Sequence, residues 1–124
     1  MSNPNLEKIR VGITIGDAAG VGPEIIMKTF SDDRLFKQFT PIVFGNPRVF
    51  SFYKKVLNIE KFQYSSIKDY KNLSNNSINI VPVWEDEFVI SPGQPSNETG
   101  KFAFLSLKAA CEALNNGDID VLVT

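Results

Sequence analysis

The sequence has 124 residues, 43% of them hydrophobic and 22% charged, which places it with single globular domains and outside disordered, collagen-like and disulfide-scaffold chains. A formal charge of −1 leaves no electrostatic footprint for a nucleic-acid partner, and no apolar run approaches the length of a bilayer crossing. The histidine count is zero, so this stretch supplies no imidazole as acid, base or metal ligand.

After the polar lead MSNPNLEKIR, which holds no signal-peptide core, residues 10–15 (RVGITI) predict a short strand ended by Gly16. Pro23 suits a first helical position, where its missing N–H has no partner to lose. Ile25, Ile26, Thr29 and Phe30 then predict one apolar face of a helix over 23–30. Residues 32–38 add a short helical turn. PIVF at 41–44 predicts a second strand, closed by Gly45, and Asn46-Pro47 repeats the helix start as a side-chain cap followed by Pro. Val49, Phe50, Tyr53, Val56 and Leu57 mark an amphipathic helix to 57. Strand, glycine turn and Pro-started helix thus occur twice in succession, the rhythm of a parallel sheet covered by helices.

The middle is less regular. Residues 62–65 predict a third strand and 66–77 a polar loop with a helical turn at 67–70. INIVPV at 78–83 predicts another strand, in which Pro82 cannot donate to a ladder and marks a strand end or an edge. Glu85, Asp86 and Glu87 are candidate metal carboxylates, although an adjacent acidic run reads first as a solvated turn, and 88–90 predict a short edge strand. SPGQPSNETG at 91–100 is a turn-rich, exposed excursion.

The longest helix is predicted over 97–116. Phe104, Leu107, Cys111 and Leu114 recur at three and four, the stripe expected of a helix docked on a sheet, with Cys111 a buried thiol. Asn116-Gly117 supplies a left-handed stop. VLVT at 121–124 predicts a buried strand. In open α/β sheets ligands bind beyond the carboxyl ends of strands, so the fold is expected to be incomplete at its C-terminal end. A single cysteine permits no internal disulfide and points to a cytoplasmic protein.

The first strand-to-helix connection, Gly16-Asp17-Ala18-Ala19-Gly20-Val21-Gly22-Pro23-Glu24, is the segment most suggestive of chemistry. Its glycines open backbone angles and close approaches denied to other residues, and the following helix aims unpaired N–H groups back at the loop. The spacing G-x-x-x-G-x-G fits neither the dinucleotide fingerprint G-x-G-x-x-G nor the P-loop. Asp17 and Glu24 oppose a bare phosphate and suit a nucleotide's ribose or adenine better. Close packing of strand on helix, with Asp17 as a local cap, explains the same residues equally well. Ser96 and Thr99 carry a similar choice between contacting a substrate phosphate and capping the helix.

I-T-I-G-D-A-A-G-V-G-P-E closely resembles the N-terminal signature G-D-P-A-G-I-G-P-E of the 4-hydroxythreonine-4-phosphate dehydrogenase (PdxA) family, from which Ala18 departs where Pro is common. Pro92-Gly93-Gln94-Pro95-Ser96 with Gly100 resembles the family's P-G-x-x-S…G segment. Ala103, Leu107, Ala110 and Cys111 lie in a similar helix, and Asp120-Val121-Leu122-Val123-Thr124 is similar to the strand before its T-x-P-x-x-K turn. The resemblance implies an α/β fold like that of isocitrate and isopropylmalate dehydrogenases, a mostly parallel sheet with helices on both faces. Residues 1–124 would be the N-terminal segment of a larger two-domain homodimeric enzyme of pyridoxal phosphate biosynthesis. It implies NAD or NADP, a divalent metal held by histidines outside this segment, and a phosphorylated small-molecule substrate, 4-phosphohydroxy-threonine, oxidised and then decarboxylated. Gly16, Asp17 and Gly20 are the candidate cofactor-binding residues. No catalytic or metal-binding residue is expected within 1–124, and the segment alone is expected to be inactive. Two alternatives stand beside this: a related dehydrogenase of phosphorylated sugar acids or cyclic diols, and a non-catalytic binding or dimerisation module.

Overall fold

The computed structural model describes residues 8–84, 90–94 and 96–124. In chain order the elements are β1 (Ile9–Thr14), α1 (Gly22–Thr29), β2 (Phe39–Gly45), α2 (Pro47–Val56), β3 (Tyr64–Ser66), β4 (Ile78–Pro82), α3 (Asn97–Asn116) and β5 (Val121–Val123), with 3-10 turns at Asp33–Lys37 and Tyr70–Asn72. The five strands form one sheet in the order β3-β4-β2-β1-β5, and every pairing is parallel.

Parallel strands need crossovers, and the right-handed rule decides which face each one covers. The connections from β1 to β2 and from β2 to β3 step toward the β3 edge, and their helices α1 and α2 share one face with Ile78, Ile80 and Val43. The connections from β3 to β4 and from β4 to β5 step the other way. Their Tyr70, Leu73 and α3 residues Ala110 and Ala113 lie with Ile42 and Phe44 on the opposite face. Helical layers on both faces of a parallel sheet are what the sequence predicts.

The start of α2 follows its cap closely. The Asn46 carboxamide oxygen accepts from the Arg48 N–H at 2.8 Å, while its Nδ2 donates to the Trp84 carbonyl at 2.9 Å and so ties α2 to the end of β4. Pro82 is the last residue of β4, an interior strand, so it stands at a strand end and not at an edge. The C-cap of α3 is Gly117 in the left-handed conformation.

Several faces differ from expectation. On α1 the buried residues are Pro23, Ile26 and Met27, with Ile25 exposed, and on α2 Val56 is exposed. The larger correction is α3. Its buried face is Thr99, Phe102, Ser106, Ala110 and Ala113, whereas Phe104, Leu107, Cys111 and Leu114 are exposed, Phe104 by 64%. The reason is steric. Along β1 and β2 the helix turns its small residues Ser106, Ala110 and Ala113 to the sheet, with the one large buried ring, Phe102, at its start against Trp84. On the same face a Cβ on Gly12 would meet the Ile119 Cδ1 at 2.3 Å and the Phe44 ring at 3.1 Å. Val121 and Val123 on β5 are likewise exposed, because β5 is an edge strand. Of the predicted strand at 88–90, residues 88 and 89, like the acidic residues 85–87, lie outside the described residues, and Ile90 is not in a strand.

Candidate functional site

β1 delivers the chain to residues 16–22 at the carboxyl end of the sheet, the edge beyond which open α/β sheets take ligands. Gly16 has φ +66°, a left-handed conformation, with open space where a Cβ would stand, so its glycine answers to backbone angle alone. Residues 17–20 then form a turn. The Gly20 N–H donates to the Asp17 carbonyl at 2.9 Å, and Asp17 Oδ1 accepts from the Ala19 N–H at 2.8 Å. Ala18 and Ala19 are buried while Gly16 and Gly20 are exposed.

Gly22 serves a different end. A Cβ there would stand 2.2 Å from the Ile15 carbonyl oxygen, so this glycine lets the start of α1 press against the end of β1. The two sequence explanations of the loop therefore divide between residues: Gly22 is packing, and Gly16 and Gly20 present bare backbone to solvent. Asp17 caps the turn and not the helix, whose N-cap is Val21 without a side-chain bond.

Two further residues hold the loop, and a third fixes the strand that enters it. The Tyr53 hydroxyl donates to the Ala18 carbonyl at 2.7 Å. The Gly93 N–H donates to the Ala19 carbonyl at 2.8 Å, which joins the loop to the second motif, far away in sequence. Ser106, fully buried on α3, accepts from the Ile15 N–H at 3.3 Å and donates to the Phe44 carbonyl, fixing the ends of β1 and β2 together. Burial, followed by the charges of Asp17 and Glu24, pushes the Tyr53 phenol above its ordinary range and keeps it a donor. Nearby, the Trp84 and Phe102 rings stack at 4.2 Å, placing Phe102 in the core.

Reading from sequence places Tyr53 in the core but misses its hydroxyl, although a buried tyrosine usually requires a partner for that group. Ser106 carries no local signal at all. Ser96 and Thr99 form a reciprocal capping box, the Thr99 N–H donating to Ser96 Oγ at 3.1 Å and the Ser96 N–H to Thr99 Oγ1 at 2.9 Å. Capping accounts for both.

Among the described residues no group of three or more His, Cys, Asp or Glu side chains is placed to hold a metal ion, and no helix is long and apolar enough to cross a membrane. A groove of about 770 Å³ is lined by Lys8, Lys37, Lys61, Asp33 and Glu60 among others. These residues sit before or near the amino ends of the strands, the end opposite the glycine loop and the one that open α/β sheets do not use for ligands.

The family described as Pyridoxal phosphate biosynthetic protein PdxA matches residues 37–124. The chain is 38% identical over 117 residues to the 4-hydroxythreonine-4-phosphate dehydrogenase of Bacteroides thetaiotaomicron, covering 94% of this chain and 32% of that protein. It is 34% identical over 121 residues to a protein of Oceanobacillus iheyensis provisionally named a D-threonate 4-phosphate dehydrogenase, covering 92% and 35%. The crystal structure of a 4-hydroxythreonine-4-phosphate dehydrogenase from Burkholderia phymatum superposes with a TM-score of 0.80 at 26% identity, covering 94% of this chain and 36% of that one. The chain thus spans about a third of the length of the relatives it matches. A parallel sheet of matching architecture, with this sequence agreement along nearly all its length, establishes that the chain belongs to the PdxA family.

Proposed function

We propose that the chain is the N-terminal segment of a two-domain, NAD(P)-dependent dehydrogenase that oxidises 4-phosphohydroxy-threonine at its 3-hydroxyl, with decarboxylation following. In this reading the enzyme is a cytoplasmic homodimer of pyridoxal phosphate biosynthesis. The observation that carries it is the 38% identity to the Bacteroides enzyme over 117 residues, a span that includes both motifs, which the fold brings into contact through Gly93 and Ala19. The segment contributes the 16–22 loop. Gly16 and Gly20, exposed and without Cβ atoms, allow a dinucleotide close to the backbone, and the carboxylate of Asp17 suits a ribose hydroxyl.

A nicotinamide cofactor supplies the hydride acceptor when bound. The divalent metal that the family implies does not fit the residues described: the chain has no histidine and its described carboxylates do not converge. Its ligands belong, in this proposal, to the remainder of the polypeptide.

A second reading keeps fold and cofactor and replaces the substrate with D-threonate 4-phosphate, favoured by the likeness to the Oceanobacillus protein. Purified full-length enzyme, with NAD+ or NADP+ and a divalent cation, decides between them by the rate of cofactor reduction on each phosphorylated acid. Reduction on neither acid would defeat both.

A further inference from the structure

The turn 17–20 is built from polar groups that face inward. Its N–H groups at Ala19 and Gly20 are bonded to Asp17, the Ala19 carbonyl to Gly93, and the Ala18 carbonyl to Tyr53. Only the last of these bonds comes from a side chain rooted in a helix. Tyr53 is 4% exposed on α2, wedged in the main core cluster and set edge-on against Phe52 at 5.1 Å. Its hydroxyl is therefore a fixed point, whereas residues 91–94, which hold the other carbonyl, are exposed and carry no secondary structure beyond a turn.

The geometry points to Tyr53 as the positioning residue of the 16–22 loop: its hydroxyl anchors the Ala18 carbonyl inward, so that Gly16 and Gly20 stay turned outward to receive the ligand. This inference rests on the dinucleotide reading of the loop. It does not make Tyr53 a ligand contact, because the side chain is buried behind the turn. What the bond supplies is order. An unanchored turn with two glycines at its flanks would have to be ordered by the ligand, at the expense of affinity.

A second chemistry can supply the same order. Ala18 occupies the first central position of the turn closed by the Gly20 N–H and the Asp17 carbonyl, the position at which proline's fixed φ is favoured. Its φ is not positive, and its own N–H bonds to nothing among the described residues. Ala18→Pro should therefore stiffen the turn without disturbing a bond.

The test uses the full-length protein as unaltered enzyme, Tyr53→Phe, Ala18→Pro, and the double variant. Titration with NAD+ gives affinity, and hydrogen exchange followed by mass spectrometry gives the order of residues 16–22. One hydrogen bond of ordinary strength corresponds to about three- to tenfold in an equilibrium constant, so Tyr53→Phe is expected to weaken NAD+ binding by about that factor. Exchange at 16–22 should quicken, while kcat at saturating cofactor stays the same. Adding Ala18→Pro should restore both affinity and protection, a rescue that a merely structural tyrosine would not show. If Tyr53→Phe leaves NAD+ affinity unchanged, or if Ala18→Pro rescues nothing, the positioning role is wrong while the dinucleotide reading stands. If the unaltered enzyme turns over phosphorylated acid yet its loop shows no added protection with NAD+, the loop is not the dinucleotide site and the inference falls with that reading.

Discussion

The glycines of the signature loop look alike in sequence and differ in what they do. Gly22 is demanded by a backbone oxygen 2.2 Å from its absent Cβ, and a backbone oxygen cannot rotate away as a side chain would. Gly22→Ala in the full-length protein should cost about 2–3 kcal/mol, in the range of overpacked cores, read from the urea midpoint. Gly16→Ala meets no neighbour and faces only the left-handed penalty, about 1 kcal/mol. A larger loss at Gly16 than at Gly22 would contradict this account. Tyr53 gives a pH signature. Its folded pKa is raised above the unfolded value near 10, so the neutral phenol is favoured by folding. The contribution is fully present below about pH 10 and lost as pH rises through the higher folded value. The stability difference between unaltered protein and Tyr53→Phe should hold steady at neutral pH and shrink above about pH 10, as urea titrations across that range would show. A difference that does not vary with alkaline pH would argue against the phenol as donor.

At the scale of the element, α3 shows best what sequence can and cannot announce. Its start is written locally: Ser96 and Thr99 are three apart and cap each other, and Gly117 ends the helix. Ser96→Ala should lower stability by about 1 kcal/mol and speed exchange in the first turn of α3, and an unaltered first turn would mean that the box contributes nothing. Its orientation is not written locally. Spacing selects Phe104, Leu107, Cys111 and Leu114 as the buried stripe because they are large and apolar, yet Ser106, Ala110 and Ala113 go inward because of what lies beneath them. That requirement belongs to Ile42 and Phe44, on a strand far off in the chain. The strands and two Pro-started helices are legible for the opposite reason, since their signals sit within a few residues of each other. The loop is legible as a candidate by its glycines, but Tyr53 and Gly93, which hold it, and Ser106, which holds the strand before it, come from three other segments and leave no joint pattern.

Among the described residues, large exposed apolar side chains recur on the outer stripe of α3 (Phe104, Leu107, Leu114) and on the edge strand β5 (Val121, Val123), with Ile9, Val21, Ile25 and Val56 exposed elsewhere. Contiguous apolar surface and an open strand edge both favour association. The isolated 124-residue chain is expected to self-associate at micromolar concentration, and Phe104→Lys with Leu107→Lys should move it toward monomer in sedimentation. A monodisperse monomer of the unaltered chain would refute this.

The strand order has a consequence in time. β1 is flanked by β2 on one side and by β5 on the other, and the pair that closes the second side, Arg10 with Asp120, is 110 residues apart. On a ribosome adding ~5–20 residues per second, β1 waits about 5 to 20 seconds for β5 to be synthesised. Throughout that interval a β-branched ribbon in the nascent protein keeps one rim unsatisfied, so a strand that ends up inside the sheet passes through a stage exposed to misassembly.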